Sequence, residues 1–142
     1  MTPWRPTEFG YARRMSEAQR TVIVTGGTGA LGRAVVTAFL EAGDRVVVPW
    51  IVEAQAKAMS DHDGLVLVEA DVAEPAGAAA VIDVAPEPAA LVNGVGGFAG
   101  GDPVHETGLD VWDRLLRMNV RTAVCMSRAA IPRMRVAGTG VV

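Results

Sequence analysis

The chain has 142 residues, half of them hydrophobic, and a formal net charge of −3 at pH 7. This length is typical of one domain, and the apolar runs are far shorter than the roughly 20 residues that cross a bilayer. The twelve arginines are spread along the sequence, so we expect neither a nucleic-acid partner nor a membrane partner, but a small-molecule one.

Residues 1–20 contain no apolar segment of signal-peptide length, and we interpret them as a poorly ordered N-terminal extension. Met15, shortly before the first predicted strand, is an alternative translation start. The single cysteine, Cys125, excludes an internal disulfide, and His62 and His105 add too few ligands for a structural zinc site. We therefore expect no metal and a reducing, cytoplasmic location.

Strand-like apolar runs alternate with helix-compatible segments along the rest of the chain. The predicted strands are residues 21–25, 45–48, 65–69 and 89–93, and the predicted linking helices are residues 31–42, 52–59 and 76–84. This alternation predicts an α/β fold of three αβα layers, a Rossmann-type doubly wound parallel sheet. In such sheets, ligands bind beyond the carboxyl ends of the strands.

The segment between the first strand and the first helix reads Gly26-Gly27-Thr28-Gly29-Ala30-Leu31-Gly32, and we name it the first glycine loop. Leu31, Val35 and Phe39 begin the apolar stripe of the helix that follows. Glycines leave room for a phosphate at the free N–H groups of a helix N-terminus. The loop therefore predicts a dinucleotide site, and the alternative is a glycine turn with a purely structural role.

The other features of interest follow the third and fourth strands. Asp71 either accepts a hydrogen bond from an adenine amino group or caps the helix that starts near Pro75, and the sequence favours neither. Residues 94–101 form a second glycine loop at the predicted ligand edge. Residues 110–134 are predicted as one helix with Asn119 in its middle, and Val141 begins a fifth strand, at whose start the sheet is truncated. The apolar stripe of this long helix consists of Val111, Leu115, Met118, Thr122 and Met126.

Four motifs in this order resemble the short-chain dehydrogenase/reductase family, and the resemblance runs from residue 21 to residue 142. They are Thr25-Gly26-x-x-Gly29-x-x-Gly32, Asp71-Val72, Leu91-Val92-Asn93-Gly94, and Trp112-Asp113-Arg114 with Asn119 and Pro132. The resemblance implies NAD or NADP as cofactor. It places the diphosphate at the glycines of the first loop, the adenine between Asp71 and Val72, and the nicotinamide ribose near Asn93 and Gly94. The implied cofactor-binding residues are Thr25, Gly26, Gly27, Thr28, Gly29, Ala30, Leu31, Gly32, Asp71, Val72, Asn93 and Gly94.

Asn119 matches the catalytic asparagine of the family, whose helix backbone holds a water of the proton relay. The alternative is an ordinary polar residue at a helix kink. Two features depart from the family pattern: Ala30 stands where glycine is commoner, and the second glycine loop is similar to that of dihydropteridine reductases. Residues 48–51, at the end of the second strand, carry no charge that would select NAD or NADP, and we interpret the nearby Glu53 and Lys57 as surface residues.

The family's proton transfer requires a serine and a Tyr-x-x-x-Lys motif, in which the lysine lowers the pKa of the tyrosine. The only tyrosine here is Tyr11 and the only lysine is Lys57, so the chain cannot form that motif. We therefore predict an inactive N-terminal fragment of an NAD(P)-dependent oxidoreductase acting on a carbonyl or alcohol substrate. The resemblance also implies a homo-oligomer for the full-length protein. The alternatives are a non-catalytic dinucleotide-binding or sensor module and a purely structural α/β domain.

Overall fold

A computed structural model describes residues 19–142. Most of the predicted N-terminal extension, with Tyr11 and Met15, lies outside the described residues. Gln19 and Arg20, which the prediction assigned to the extension, contact the body of the domain. The Arg20 guanidinium donates two hydrogen bonds of 2.6 Å to the buried carboxylate of Asp44, and Gln19 donates to the carbonyl of Gly43. The ion pair with Asp44 raises the pKa of Arg20.

Strands and helices alternate in the order that the sequence predicts. The strands are β1 (Thr21–Thr25), β2 (Arg45–Trp50), β3 (Leu65–Glu69) and β4 (Pro88–Asn93). The helices are α1 (Ala30–Glu41), α2 (Glu53–Lys57), α3 (Pro75–Val84), α4 (Leu109–Leu116) and α5 (Thr122–Ala137), with a π-helical segment (Arg117–Arg121) between α4 and α5.

The four strands form a parallel sheet in the order β3-β2-β1-β4. After β3 the chain crosses from one side of β1 to the other, so that the carboxyl ends of β1 and β4 lie next to each other. This arrangement makes a ligand-binding crevice in this fold class. Val141 bridges to Ala90 in parallel orientation and exchanges hydrogen bonds with the backbone of β4. This isolated bridge lies beside β4, at the place of the predicted fifth strand.

Helices cover both faces of the sheet and give the predicted three-layer αβα architecture. On one face, Val36 of α1 packs against alternate residues of β1 and β2, such as Val24 and Val48. On the other face, Val81 of α3 and Met126 of α5 pack against the intervening strand residues and are fully buried. The central strands are apolar on both sides because both sides are covered.

Besides shifts of one or two residues at the ends of other elements, three features differ from the sequence predictions. Strand β2 runs two residues beyond the predicted end, because Pro49 and Trp50 register with β3. The long helix predicted over residues 110–134 is divided by the π-helical segment, which periodicity alone does not reveal. Leu31, predicted on the core-facing stripe of the first helix, lies in the first turn of α1 and is 80% exposed. No helix within residues 19–142 is long and apolar enough to cross a membrane.

Candidate functional site

The first glycine loop turns β1 into α1 at the carboxyl edge of the sheet. Gly26 has a φ of 68°, a left-handed conformation that side chains disfavour, and its carbonyl accepts a hydrogen bond of 3.0 Å from the Gly29 amide. Gly29 is the N-cap of α1 and supplies no capping side chain. The first intrahelical bond runs from the Arg33 amide to the Gly29 carbonyl. The preceding amides of α1, from Ala30 to Gly32, therefore have no intrahelical acceptor and can bind an anion.

Close contacts explain three of the four glycines in this loop. A Cβ at Gly26 would lie 2.5 Å from the carbonyl oxygen of Gly94, and one at Gly32 would collide with the backbone of Gly26. A Cβ at Gly27 would lie 2.8 Å from a methyl group of Val48. A Cβ at Gly29 would meet only the Gly26 carbonyl, at 3.3 Å. Packing thus accounts for Gly26, Gly27 and Gly32 but leaves Gly29 to be explained by its position at the open end of the helix.

Thr25 joins the two loops that follow β1 and β4. Its buried hydroxyl donates to the carbonyl of Val92 at 3.2 Å and accepts from the amide of Gly94 at 3.1 Å. The predicted cofactor contact of Thr25 remains a prediction, whereas its role in fixing the two loops against each other is visible. Asn93 is exposed at the end of β4, with its amide 3.5 Å from the hydroxyl of Ser127. Asn93 and Gly94 thus lie beside the first glycine loop.

Asp71 lies in the turn of residues 71–74, which we name the β3 turn. One oxygen of its carboxylate accepts from the Ala73 amide at 2.9 Å, and the other accepts from Arg117 at 2.8 Å. The N-cap of α3 is Glu74, with no side-chain capping bond. The helix-capping interpretation of Asp71 is therefore wrong, because its side chain closes the turn three residues earlier. The side chain of Val72 is buried in the core, which leaves only its backbone for contact with an adenine.

Asn119 lies in the π-helical segment and holds the second glycine loop. Its amide oxygen accepts from the Gly97 amide, and its amide nitrogen donates to the carbonyls of Gly97 and Leu115, all at 3.0 Å. A Cβ at Gly96 would lie 2.9 Å from the same oxygen. π-Helical turns are rare in proteins, and those that occur are frequently found at functional sites. The side chain of Asn119 therefore anchors the second glycine loop, and its backbone is in an irregular turn next to the crevice.

Two arginines of the π-helical segment contact the β3 turn, and sequence inspection misses them because their partners are far away in the chain. Arg117 contacts Asp71 and, at 2.5 Å, Glu74, and Arg121 donates to the Ala73 carbonyl at 2.7 Å and to Glu74 at 3.3 Å. The hydrogen bond from Arg117 is the largest cause that lowers the pKa of the Glu74 carboxyl. The same bond raises the pKa of Arg117.

The residues around the end of β2 leave the cofactor preference undecided. Trp50 and Ile51 occupy this position without a charge. Glu53 and Lys57 form an exposed ion pair of 2.6 Å across one turn of α2, as expected for surface residues. Thr28, in the first glycine loop, donates its hydroxyl to Gln55 of α2 at 3.0 Å. Thus α2 supports the loop from its outer side.

The family model described as short chain dehydrogenase matches residues 20–142. The chain belongs to the short-chain dehydrogenase family. A short chain dehydrogenase/reductase of Colletotrichum higginsianum is 32% identical over 135 residues, which cover 82% of this chain and 47% of that protein. One of Macrophomina phaseolina is 32% identical over 124 residues, which cover 80% of this chain and 71% of that protein. The NADP-dependent (R)-specific alcohol dehydrogenase of Lentilactobacillus kefiri is 30% identical, with coverage of 85% and 51%.

Solved structures of dehydrogenases have the same fold. Serine dehydrogenase from Escherichia coli superimposes with a TM-score of 0.78 at 25% identity, covering 85% of this chain and 59% of that one. The closed form of serine dehydrogenase complexed with NADP+ gives a TM-score of 0.79, with coverage of 85% and 52%. The chain thus spans about half the length of most of these family members, and the similarity covers the part that carries the glycine loops.

Proposed function

We propose that the chain is the dinucleotide-binding part of an NAD(P)-dependent oxidoreductase that moves a hydride between a nicotinamide and a carbonyl or alcohol carbon. The observation that carries this proposal is the first glycine loop. Its glycines leave bare backbone beside the uncapped N-terminus of α1. A diphosphate fits this surface, because the amides and the positive end of the helix dipole stabilise negative charge there.

The other residues of the site fit the remaining parts of a dinucleotide. Asp71 offers carboxylate oxygens at the edge of the sheet, on the β3 side of the loop, for an adenine amino group. Asn93 and Gly94, at the end of β4, would lie beside the nicotinamide ribose. When bound, the nicotinamide supplies hydride chemistry. The chain's own residues bind and orient the cofactor, since the Thr25 hydroxyl and the contact between Gly26 and Gly94 fix the two loops relative to each other.

Asn119 would act at the nicotinamide end of the crevice. Its side chain is occupied by Gly97 and Leu115, so a role in the proton relay would fall to its backbone. A carbonyl of the irregular π-helical turn is a suitable acceptor for a bound water. We assign Asn119 to the relay on this basis and on the family motif, and its side chain to the positioning of the second glycine loop.

The groups that transfer the proton would come from residues outside this sequence. The sequence contains one tyrosine, Tyr11, and one lysine, Lys57, and these cannot form Tyr-x-x-x-Lys. We therefore expect the 142-residue chain to bind cofactor without reducing a carbonyl substrate. Robust NAD(P)H-dependent reduction by purified recombinant chain would contradict this part.

A non-catalytic dinucleotide-binding or sensor module is the second candidate, because the first glycine loop and the uncapped N-terminus of α1 need no catalytic residue to bind a dinucleotide. A sensor binds the cofactor as the isolated chain and needs no further residues. Translation of the genomic DNA downstream of Val142 separates the candidates. A serine followed by Tyr-x-x-x-Lys supports the oxidoreductase, whereas a stop codon with no such motif in any frame supports the module.

Calorimetric titration of the chain with NADH and with NADPH tests the binding function. We expect one dinucleotide per chain. The relatives named as NADP-dependent or complexed with NADP+ give a reason to test NADPH, while the uncharged end of β2 gives no reason to prefer it over NADH. The proposal is refuted if neither NADH nor NADPH gives a measurable heat of binding.

We also propose that the full-length protein is a homo-oligomer. Leu116, Val120 and Val124 are about half exposed on consecutive turns from α4 to α5, and an apolar strip of this kind is costly in water unless a partner covers it. Light scattering of the full-length protein after gel filtration tests this. A monomer at micromolar concentration would contradict it.

A further inference from the structure

The π-helical segment contacts both ends of the proposed crevice. Through Asn119 it holds Gly97 of the second glycine loop, on the nicotinamide side. Through Arg117 and Arg121 it holds the β3 turn, on the adenine side. The two arginines are four residues apart, so one short irregular turn directs both guanidinium groups at the same four-residue segment.

The contacts to the β3 turn restrict its conformation. Arg117 bridges Asp71 and Glu74, the first and last residues of the turn, with its two terminal nitrogens. Arg121 donates to the backbone carbonyl of Ala73, which lies between these two residues in the turn, and the Cys125 thiol is 3.5 Å from the same oxygen. Within the turn, the Asp71 side chain accepts from the Ala73 amide. With the contact of 3.3 Å from Arg121 to Glu74, six side-chain contacts therefore act on a turn that has no regular secondary structure.

These contacts leave the Asp71 carboxylate fixed and still able to bind a ligand. Each oxygen accepts one hydrogen bond within the protein, whereas an ionised carboxylate has about four acceptor positions. The Ala73 amide on one oxygen and one nitrogen of Arg117 on the other keep the carboxylate in one orientation, and the rigid guanidinium is itself held by its second contact, to Glu74. The remaining lone pairs can accept from an amino group but would repel an oxo group.

We propose that Arg117 and Arg121 are positioning residues, which hold the β3 turn so that Asp71 distinguishes a 6-aminopurine nucleotide from its 6-oxo counterpart. This inference rests on the proposed dinucleotide function. Neither arginine contacts the cofactor itself. Their effect is on base discrimination, which a merely stabilising ion pair on the surface would not change.

The test compares NADH with reduced nicotinamide hypoxanthine dinucleotide, which differs in carrying an oxygen in place of the adenine amino group. Both are titrated into the 142-residue chain, and the ratio of their dissociation constants is the readout. The variants are Arg117→Met and Arg121→Met. The matched control is Arg114→Met, which removes the same charge from α4, where Arg114 has no side-chain bond to any residue in 19–142.

We expect wild-type chain and the Arg114→Met control to favour NADH by the same ratio. Arg117→Met should lower that ratio by about fivefold, the size expected for an exposed charged contact, and Arg121→Met should lower it less. An unchanged ratio in both variants, with or without a lower unfolding temperature, overturns the positioning role but leaves dinucleotide binding intact. Failure of the wild-type chain to bind either dinucleotide overturns the proposed function and this inference together.

Discussion

Substitution of Gly29 by aspartate separates the phosphate-binding role of the first glycine loop from its structural role. Gly29 has φ −77° and ψ 170°, an extended conformation that any residue adopts, and a Cβ there meets only one atom, at 3.3 Å. Aspartate is also a favourable N-cap residue and interacts well with the helix dipole. Gly29→Asp should therefore fold with a free energy of unfolding that is unchanged or higher by a few tenths of a kcal/mol.

The same substitution should weaken cofactor binding strongly. It places a carboxylate at the amides that would hold the diphosphate, and two unit charges 4 Å apart near a protein surface repel by about 4 kcal/mol. Even if solvent and salt reduce this by half, the dissociation constant should rise by at least about 30-fold. Calorimetric titration with NADH gives the binding constant, and urea unfolding confirms the fold.

Gly29→Asn is the matched control, since asparagine has the same shape and N-cap preference without the charge. It should weaken binding much less than aspartate does. Equal dissociation constants for wild type and Gly29→Asp would refute the reasoning, because they would mean that no phosphate lies at this helix terminus. Equal losses in both variants would point to side-chain obstruction rather than charge.

Three further predictions concern stability. Gly32→Ala should lower the free energy of unfolding by about 2 kcal/mol, because the new Cβ collides with the Gly26 backbone. Gly29→Ala should lower it by only about 0.5 kcal/mol. Equal losses for the two variants in urea unfolding would contradict the packing explanation. Thr25→Val removes the two side-chain hydrogen bonds from the end of β1 to Val92 and Gly94 and should lower the free energy of unfolding by about 1–3 kcal/mol. Thr28→Val removes a single exposed hydrogen bond and should lower it by less than about 0.5 kcal/mol. Arginine contacts lower the pKa of Glu74 from its ordinary 4.5, so the contribution of Glu74 to stability is present above pH 4.5 and disappears as the pH falls through the lowered pKa. Glu74→Gln should accordingly be less stable than wild type at pH 7, and the difference should shrink as the pH falls below 4.5; a difference that does not change with pH would be inconsistent with the ion pair.

Much of the fold could be predicted because local pattern and global arrangement agree. The apolar runs of β1 and β3 end at the predicted residues, and Gly43, with φ 86°, ends α1 as a left-handed cap. Alternation of strands and helices then requires parallel pairing and two covered faces. The sheet order β3-β2-β1-β4 is what this connectivity gives in the Rossmann-type fold.

The rest depends on contacts between distant segments. Nothing near Arg117 in the sequence indicates that its partners are Asp71 and Glu74, more than forty residues earlier. The π-helical turn is also hidden, because one extra residue in a turn hardly changes an apolar stripe read at helical spacing. Leu31 fits the stripe by its spacing, yet it is exposed, because burial depends on which segments pack against the first turn of α1 and only the tertiary structure defines these.

The most direct test of the central claim observes the backbone amides of the first glycine loop themselves. Two-dimensional ¹H–¹⁵N NMR spectra of the labelled 142-residue chain are recorded during titration with ADP-ribose, which carries the diphosphate and the adenosine but no nicotinamide. We expect the largest shifts at the amides of Ala30, Leu31 and Gly32, the uncapped donors of α1, with smaller shifts in the β3 turn. If the signals of these three amides do not shift, the assignment of this loop as the diphosphate site is contradicted, whether or not other amide signals shift.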